Sequence, residues 1–390
     1  MIEKIIAGMS RPGFGNLPAT LIHTSAITYT PTRTCTAIMQ IERITATVEH
    51  IKPARPTDAY AGGESLTFLR CRVTTDDGMT GTGVTGRFLA DQVAHLLNGG
   101  INATAKGMDP LDIEAVTTQL AKTFNPRQST GVFVSAMSAL DLALWDSKGK
   151  ALNQPVARLI GGARSAVPAY ATAGLPAFTE PELISACKAA LAAGFHGAKI
   201  LVGAGRSLDE DAQRIRAARK AIGAAPLMLD ANCAFTVAEA KRLATLVADC
   251  DIAFFEEPVR GNDIPALAEL RRAISIPLAS GQMIQSVAWF RDVLIAGALD
   301  ILQPNAAFCG GISAMLRILA LAEAHGIPVT GAGGFEAANL PAMAGHAHGG
   351  MLEVHGAHVA LRARFATEPE FRDGKLQVPS VPGLGFSLKD

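Results

Sequence analysis

The sequence predicts an α/β protein in which a (β/α) barrel, a modified TIM barrel, is preceded by an α+β capping domain. Three observations carry that expectation. After Gly161-Gly162, short β-rich runs alternate with Ala-rich helical stretches as far as about residue 365, the rhythm of a closed parallel barrel. Asp230, Glu256 and Gln282 close three successive runs at equal intervals of 26 residues, one βα unit each. Upstream, from Gln40 to about Ile160, strands come first and helices follow.

Taken in order, residues 1–38 are Thr-rich, Pro-interrupted and weakly periodic, and read as a loosely ordered extension or the product of an upstream start codon. Met39-Gln-Ile-Glu-Arg-Ile opens the first strand of a capping domain expected over residues 39–160. Leu66 to Val73 alternates as an antiparallel strand, and Asp76-Asp77-Gly78 is a hairpin-turn signal. Between Ser135 and Lys150, Met137, Leu140, Leu144 and Trp145 fall at helical spacing. The barrel, expected over residues 161–365, has predicted strands Val167–Ala171, Gly197–Val202, Pro226–Asp230, Ile252–Glu256, Pro277–Ser280, Asp300–Gln303, Pro328–Thr330 and Leu352–Val354. A doubly wound dinucleotide fold competes poorly, because Gly203-Ala-Gly205 lacks the third glycine of that fingerprint. Residues 366–390, with their Pro-Gly turns, are expected to fold back and complete the capping domain.

Bulk properties exclude several function classes. The chain has 390 residues, 49% of them apolar, and its 35 basic and 35 acidic side chains cancel. Nothing in that balance suits nucleic acid or an anionic membrane, so the expected partner is a small molecule. Six cysteines at 35, 71, 187, 233, 250 and 309 include no C-x-x-C pair, which points to a reducing cytoplasm. No run reaches the roughly 18 apolar residues of a membrane span, and the N-terminus lacks signal-peptide features.

In a barrel, chemistry collects at the C-terminal strand ends. Three consecutive strands ending in Asp230, Glu256 and near Gln282 would aim oxygen atoms at one point, which suits Mg²⁺, a hard cation held by a few carboxylates with water and substrate oxygens. The competing reading is that each acid caps the following helix or pairs with a base.

Several motifs resemble those of the mandelate racemase and muconate lactonizing enzyme branch of the enolase superfamily. These are Ala139-Leu-Asp-Leu-Ala-Leu-Trp-Asp-Ser-Lys-Gly-Lys150 with Pro155 and Leu159-Ile-Gly-Gly162; Gly194-Phe-His-Gly-Ala-Lys199; Leu229-Asp-Ala-Asn232; Phe255-Glu-Glu-Pro258; Ile301-Leu-Gln-Pro-Asn305 with Gly310-Gly311; and Pro382-Gly-Leu-Gly385. The resemblance implies a Mg²⁺-dependent homo-oligomeric enzyme that removes the proton α to a carboxylate and stabilises the resulting enediolate. Dehydration of a hydroxy or sugar acid, racemisation or epimerisation, or cycloisomerisation then follows.

The departures from that pattern matter equally. The family's Lys-x-Lys reads Lys199-Ile200-Leu201, so the outer lysine is missing; the third ligand, usually acidic, is Gln282; Asn305 stands where an Asp is usual; and Val329 to Phe335 contains no histidine. The remaining candidates are Lys199 as base or carboxylate ligand, Glu353 as carboxylate partner, His355 as acid or base two residues further along the same strand face, and Asn305. The resemblance also places Tyr60, in the loop Pro53 to Glu64, over the mouth, with Asn232, Leu201, Phe308 and Phe335 near the substrate, the last three where acid-sugar dehydratases are often polar; Glu257 is expected to pair with a neighbouring base. A catalytically degenerate acid-binding homologue and a metal-independent enzyme are the alternatives from other classes.

Overall fold

The computed structural model describes residues 39–52, 65–124 and 130–389. The expectations for residues 1–38 and for Tyr60 and its loop lie outside the described residues. Strands β1 (Ile41–Ile51), β2 (Leu66–Thr75) and β3 (Thr80–Thr85) form an antiparallel sheet in that order. The β2–β3 turn uses Gly78 at a φ of 86°, a left-handed conformation that glycine adopts without steric cost.

Helices α1 (Ala90–Leu96), α2 (Asn102–Ala105), α3 (Ile113–Phe124) and α4 (Val132–Ala151) follow. Helix α4 is apolar on nearly every side because it lies between two layers. On one side it presses against β3 so closely that a Cβ on Gly83 would collide with the Ala139 carbonyl oxygen. On the other, Asp141 Oδ1 accepts the Ser313 amide at 3.1 Å, and Trp145 Nε1 donates to Ser313 Oγ at 3.0 Å.

After the short α5 (Val156–Ile160) come eight parallel strands: β4 (Ala166–Gly174), β5 (Ala198–Leu201), β6 (Leu227–Asp230), β7 (Ile252–Glu256), β8 (Leu278–Ser280), β9 (Ile301–Leu302), β10 (Thr330–Gly331) and β11 (Met351–His355). They run in sequence order around the sheet, β11 pairs with β4, and a parallel bridge between Leu302 and Val329 joins β9 to the β10 segment. The predicted barrel is therefore present.

Seven helices separate the strands: α6 (Glu180–Ala192), α7 (Leu208–Ile222), α8 (Val237–Leu246), α9 (Ile264–Ala273), α10 (Val287–Ile295), α11 (Gly311–His325) and α12 (Glu336–Gly345). Capping boxes Thr179/Glu182, Ser207/Glu210 and Thr236/Glu239 start the first three, satisfying amides that an unpaired helix N-terminus would leave bare. The eighth repeat differs from the expected pattern. No α-helix follows β11; a 3₁₀ stretch, Gly356–Arg364, turns back instead, and this brings His358 to the barrel mouth.

The tail ties the layers together. Lys375–Gln377 pairs antiparallel with the start of β4, while Asp146 accepts the Leu384 amide at 2.9 Å and the Thr82 amide at 2.8 Å. Tyr170, Met228, Phe254 and Ala279 fill the barrel interior and form a dry floor beneath the polar residues of the mouth.

Candidate active site

Parallel register builds the site. Leu201 pairs with Asp230 and Asp230 with Glu256, so equal unit lengths bring the strand ends level. The barrel's closure then carries Lys199, from β5, to a fully buried position among three carboxylates. Its Nζ lies 2.6 Å from Glu256 Oε2, 2.9 Å from Glu353 Oε1 and 3.3 Å from Asp230 Oδ2. Burial opposes the ammonium, but the charges of Glu256, Glu353 and Asp230 outweigh it and hold the lysine well above its ordinary pKa.

Each acid is held differently. Glu353 is fully buried, yet Lys199, His355 and hydrogen bonds from Thr172 and Lys199 bring it down to about 2. The Gly333 amide also donates to its Oε2 at 2.5 Å and that of Gly334 at 3.2 Å. Gly333, at a φ of 76°, has no room for a side chain, since an added Cβ would meet Asn305 Nδ2 at 2.8 Å. Glu256 Oε2 accepts from Gln303 Nε2 at 2.9 Å as well as from Lys199, whereas its Oε1 is buried without a hydrogen-bond partner. Burial and Asp230 push Glu256 above the ordinary carboxyl range, with Lys199 opposing. Asp230 Oδ1 accepts the Asn232 amide at 2.9 Å.

Gln282 donates its Nε2 to Glu257 Oε2 at 2.8 Å, and its Oε1 is left beside Gly333. Glu257 also accepts Asn262 Nδ2 at 2.9 Å. The expected basic partner of Glu257 is thus replaced by two amides, because Gln282 and Asn262 are the donors within reach. Burial, then Asp230, raise Glu257 to about 7, against the pull of those two hydrogen bonds.

Could this donor set hold a dication? Asp230 and Glu256 supply carboxylate oxygens and Gln282 an amide oxygen, the hard ligands that Mg²⁺ takes. The partnerless Glu256 Oε1 is an oxygen in want of a cation. Three carboxylates against one ammonium also leave a formal surplus of two negative charges. The residues fit. Among the described residues no three His, Cys, Asp or Glu converge as a ligand set; the third ligand of such a site would be the Gln282 amide.

Above these residues opens a cavity of about 210 Å³ lined by Asp230, Asn232, Gln282, Phe308, Phe335 and His355 from the sequence-predicted set, and by Arg87, Phe88 and His358, which sequence reasoning missed as site residues. His355 Nδ1 accepts the Ala357 amide at 3.1 Å, so the neutral ring carries its proton on Nε2. Burial lowers its pKa, as it does that of His358, which falls to about 3. The rings of Phe308, Phe335 and His358 pack edge to face at 6.0 and 5.2 Å.

Two predicted contacts are used elsewhere. Leu201 packs with Leu175, Phe178 and Ala357 and does not line the cavity. Asn305 donates to the carbonyls of Ala332 and Gly334 and accepts the Ala307 amide, so it braces the loop after β10. Thr172 and Gln303 complete the polar cluster; Gln303 sits inside the Gln-Pro-Asn motif that marked Asn305, while Thr172 left no signal.

Comparison with known proteins agrees with this architecture. Residues 43–161 match the family described as mandelate racemase / muconate lactonizing enzyme, N-terminal domain, and residues 182–390 match the enolase C-terminal domain-like family. The chain is similar to D-galactarolactone cycloisomerase from Agrobacterium fabrum, 34% identical over 300 residues that cover 72% of this chain and 79% of that protein. It is also similar to L-talarate/galactarate dehydratase from Salmonella typhimurium, 33% identical over 306 residues, covering 75% and 74% respectively. The crystal structure of that dehydratase liganded with Mg and L-lyxarohydroxamate superposes with a TM-score of 0.82 at 27% identity, covering 94% of this chain and 95% of that one. The chain belongs to the mandelate racemase/muconate lactonizing enzyme family of the enolase superfamily.

Proposed function

We propose that this protein is a Mg²⁺-dependent lyase that removes the proton α to the carboxylate of a sugar acid and expels the neighbouring hydroxyl. The observation that carries the reading is the cluster of Asp230, Glu256 and Glu353 around Lys199, from which Asp230 reaches the lining of a cavity that also presents Gln282 and His355. Dehydration by a relative with the same fold and a magnesium site supports it.

Asp230, Glu256 and Gln282 would hold the ion. Bound there, Mg²⁺ would neutralise the substrate carboxylate as charge builds on its oxygens and, by its own charge, lower the pKa of the neighbouring lysine. Lys199 Nζ then takes the α-proton. Glu353 keeps that amine in place, fixed by Thr172 and by the Gly333 and Gly334 amides. His355 donates a hydrogen bond from Nε2–H to the departing hydroxyl and keeps that proton; the hydroxyl takes up the α-proton held by Lys199, so water leaves and the lysine returns to the amine. The rings of Phe308, Phe335 and Phe88 keep bulk water from the enediolate.

Isomerisation is the second reading, favoured by the similarity to a cycloisomerase. A panel of sugar acids in deuterated buffer with Mg²⁺, followed by NMR, separates the two. Loss of the hydroxyl with formation of a 2-keto acid supports the lyase; exchange with retention of composition supports the isomerase. No exchange with any acid, from folded protein that binds Mg²⁺, would leave only acid binding without turnover. Loss of exchange in Lys199→Ala identifies the base. No helix among the described residues is long and apolar enough to cross a membrane. Action as a cytoplasmic homo-oligomer is part of the same proposal, and light scattering on the purified chain checks the assembly state.

A further inference from the structure

A neutral amide is an ambiguous metal ligand, because a half-turn about its last bond replaces the coordinating oxygen with an NH₂ group that repels cations. We propose that Glu257 resolves this ambiguity: it is a positioning residue whose carboxylate captures the Gln282 NH₂ and thereby commits Gln282 Oε1 to the metal. The inference rests on the magnesium reading above and assigns Glu257 a role within it.

Four buried side chains form the chain of bonds. Ser280 Oγ donates to Asn262 Oδ1 at 2.7 Å, which fixes the Asn262 amide with Nδ2 pointing away. That Nδ2 donates to Glu257 Oε1 at 2.9 Å. Glu257 Oε2 then receives Gln282 Nε2 at 2.8 Å. Both Glu257 oxygens receive N–H donors, so the group is bonded here as an acceptor on either side, and against that acceptor the opposite Gln282 rotamer would set two oxygens against each other in a site where all four residues are buried. The orientation follows from the donor and acceptor sequence. Backbone geometry holds the arrangement, since Glu257 and Asn262 both adopt left-handed φ values, 42° and 50°, and the Glu257 amide and carbonyl bond to Ala279 and Cys233. The negative charge missing from the third ligand is thus present one bond further out.

The test is a Mn²⁺ titration, followed by electron paramagnetic resonance, of the full chain as wild type, Glu257→Gln, Gln282→Glu and the double variant. With Gln282 in place, the amide introduced by Glu257→Gln would turn its own NH₂ toward the ligand and release or invert it. That single change should therefore weaken Mn²⁺ binding by about 10-fold to 100-fold, the range of lost orienting partners. In the Gln282→Glu background the same change should strengthen binding, because the introduced amide now donates to a carboxylate that Glu257 would repel. That reversal of sign is the expected result. Loss of one negative charge by itself weakens binding in both backgrounds, so an equal weakening in both would overturn the positioning role while leaving the metal site standing. Wild-type protein that binds no Mn²⁺ would instead remove the metal reading and this inference with it. If Glu257→Gln does not fold, Asn262→Ala supplies the comparison: a larger loss of Mn²⁺ affinity in the wild-type background than in the Gln282→Glu background is expected, and equal losses would again overturn the role.

Discussion

The barrel mouth has two unlike walls. Strands β5 to β8 and the turn after β8 supply Lys199, Asp230, Glu256 and Gln282, all almost wholly shielded from solvent, with Lys199 paired to Asp230 and Glu256 and Gln282 bonded to Glu257. The opposite wall, at the ends of β9, β10 and β11, is made of Phe308, Phe335, His355 and His358; burial lowers the pKa of both histidines, and Phe308, Phe335 and His358 pack edge to face. Glu353 links them, rising from β11 but reaching across to Lys199. The difference separates two tasks. The first wall gathers charge for a cation and a carboxylate, where a low dielectric strengthens each interaction. The second excludes water and presents hydrogen bonds without adding charge.

Breaking the first wall should have the larger effects. Asp230→Asn removes a ligand charge at the centre of the proposed site, and turnover measured by α-proton exchange should fall by at least about 1,000-fold, several kcal/mol of lost stabilisation; full activity would end the metal reading. Lys199→Met leaves Asp230, Glu256 and Glu353 facing one another without their common cation. Denaturant unfolding in Mg²⁺-free buffer should show a loss of about 3–5 kcal/mol. Millimolar Mg²⁺ should restore part of it, because a dication can take over the neutralisation. Destabilisation that Mg²⁺ does not relieve would mean that the carboxylates belong to the lysine alone.

Breaking the second wall should be milder. His355→Gln should cost roughly 100-fold in turnover, the lower end for a proton-handling group, with Mn²⁺ affinity unchanged. If affinity falls in parallel, the walls are not independent.

The smallest effect concerns acid sensitivity. Folding holds His358 neutral down to about pH 3, while an unfolded histidine takes up a proton near pH 6.5. Between those values the unfolded state binds more protons, so this residue's contribution to stability is present above pH 6.5 and is lost as pH falls below it. His358→Phe should therefore reduce the drop in melting temperature between pH 7 and pH 5, and an unchanged drop would place the sensitivity elsewhere.

The asymmetry between the walls was only half legible in the sequence. Asp230, Glu256 and Gln282 could be found because they end apolar runs of equal spacing, and parallel pairing turns equal spacing into a shared level at the mouth. Glu353 followed from the family resemblance, and His355 from the period-2 alternation of the same strand. His358 escaped notice because its position depends on a 3₁₀ turn replacing the eighth helix. Glu257 was assigned a basic partner, since nothing in Phe255-Glu-Glu-Pro258 tells which side chains its neighbours will offer. Asn305 and Leu201 were read as site residues because they stand at family motif positions, but backbone carbonyls of the β10 loop engage the first, and a small apolar cluster beside Ala357 takes the second.

By itself, then, the sequence determined the layer order, the barrel and the phase of the strands that carry Asp230, Glu256 and Gln282, because hydrophobic alternation and unit length are local properties that survive into the fold. The convergence of three carboxylates on Lys199, the amide orientation at Gln282 and the neutral aromatic wall were decided only by the tertiary structure. Each depends on closing a sheet whose first and last strands are far apart in the chain, and the energies of buried charges and amides are set by the neighbours that closure brings within about 3 Å.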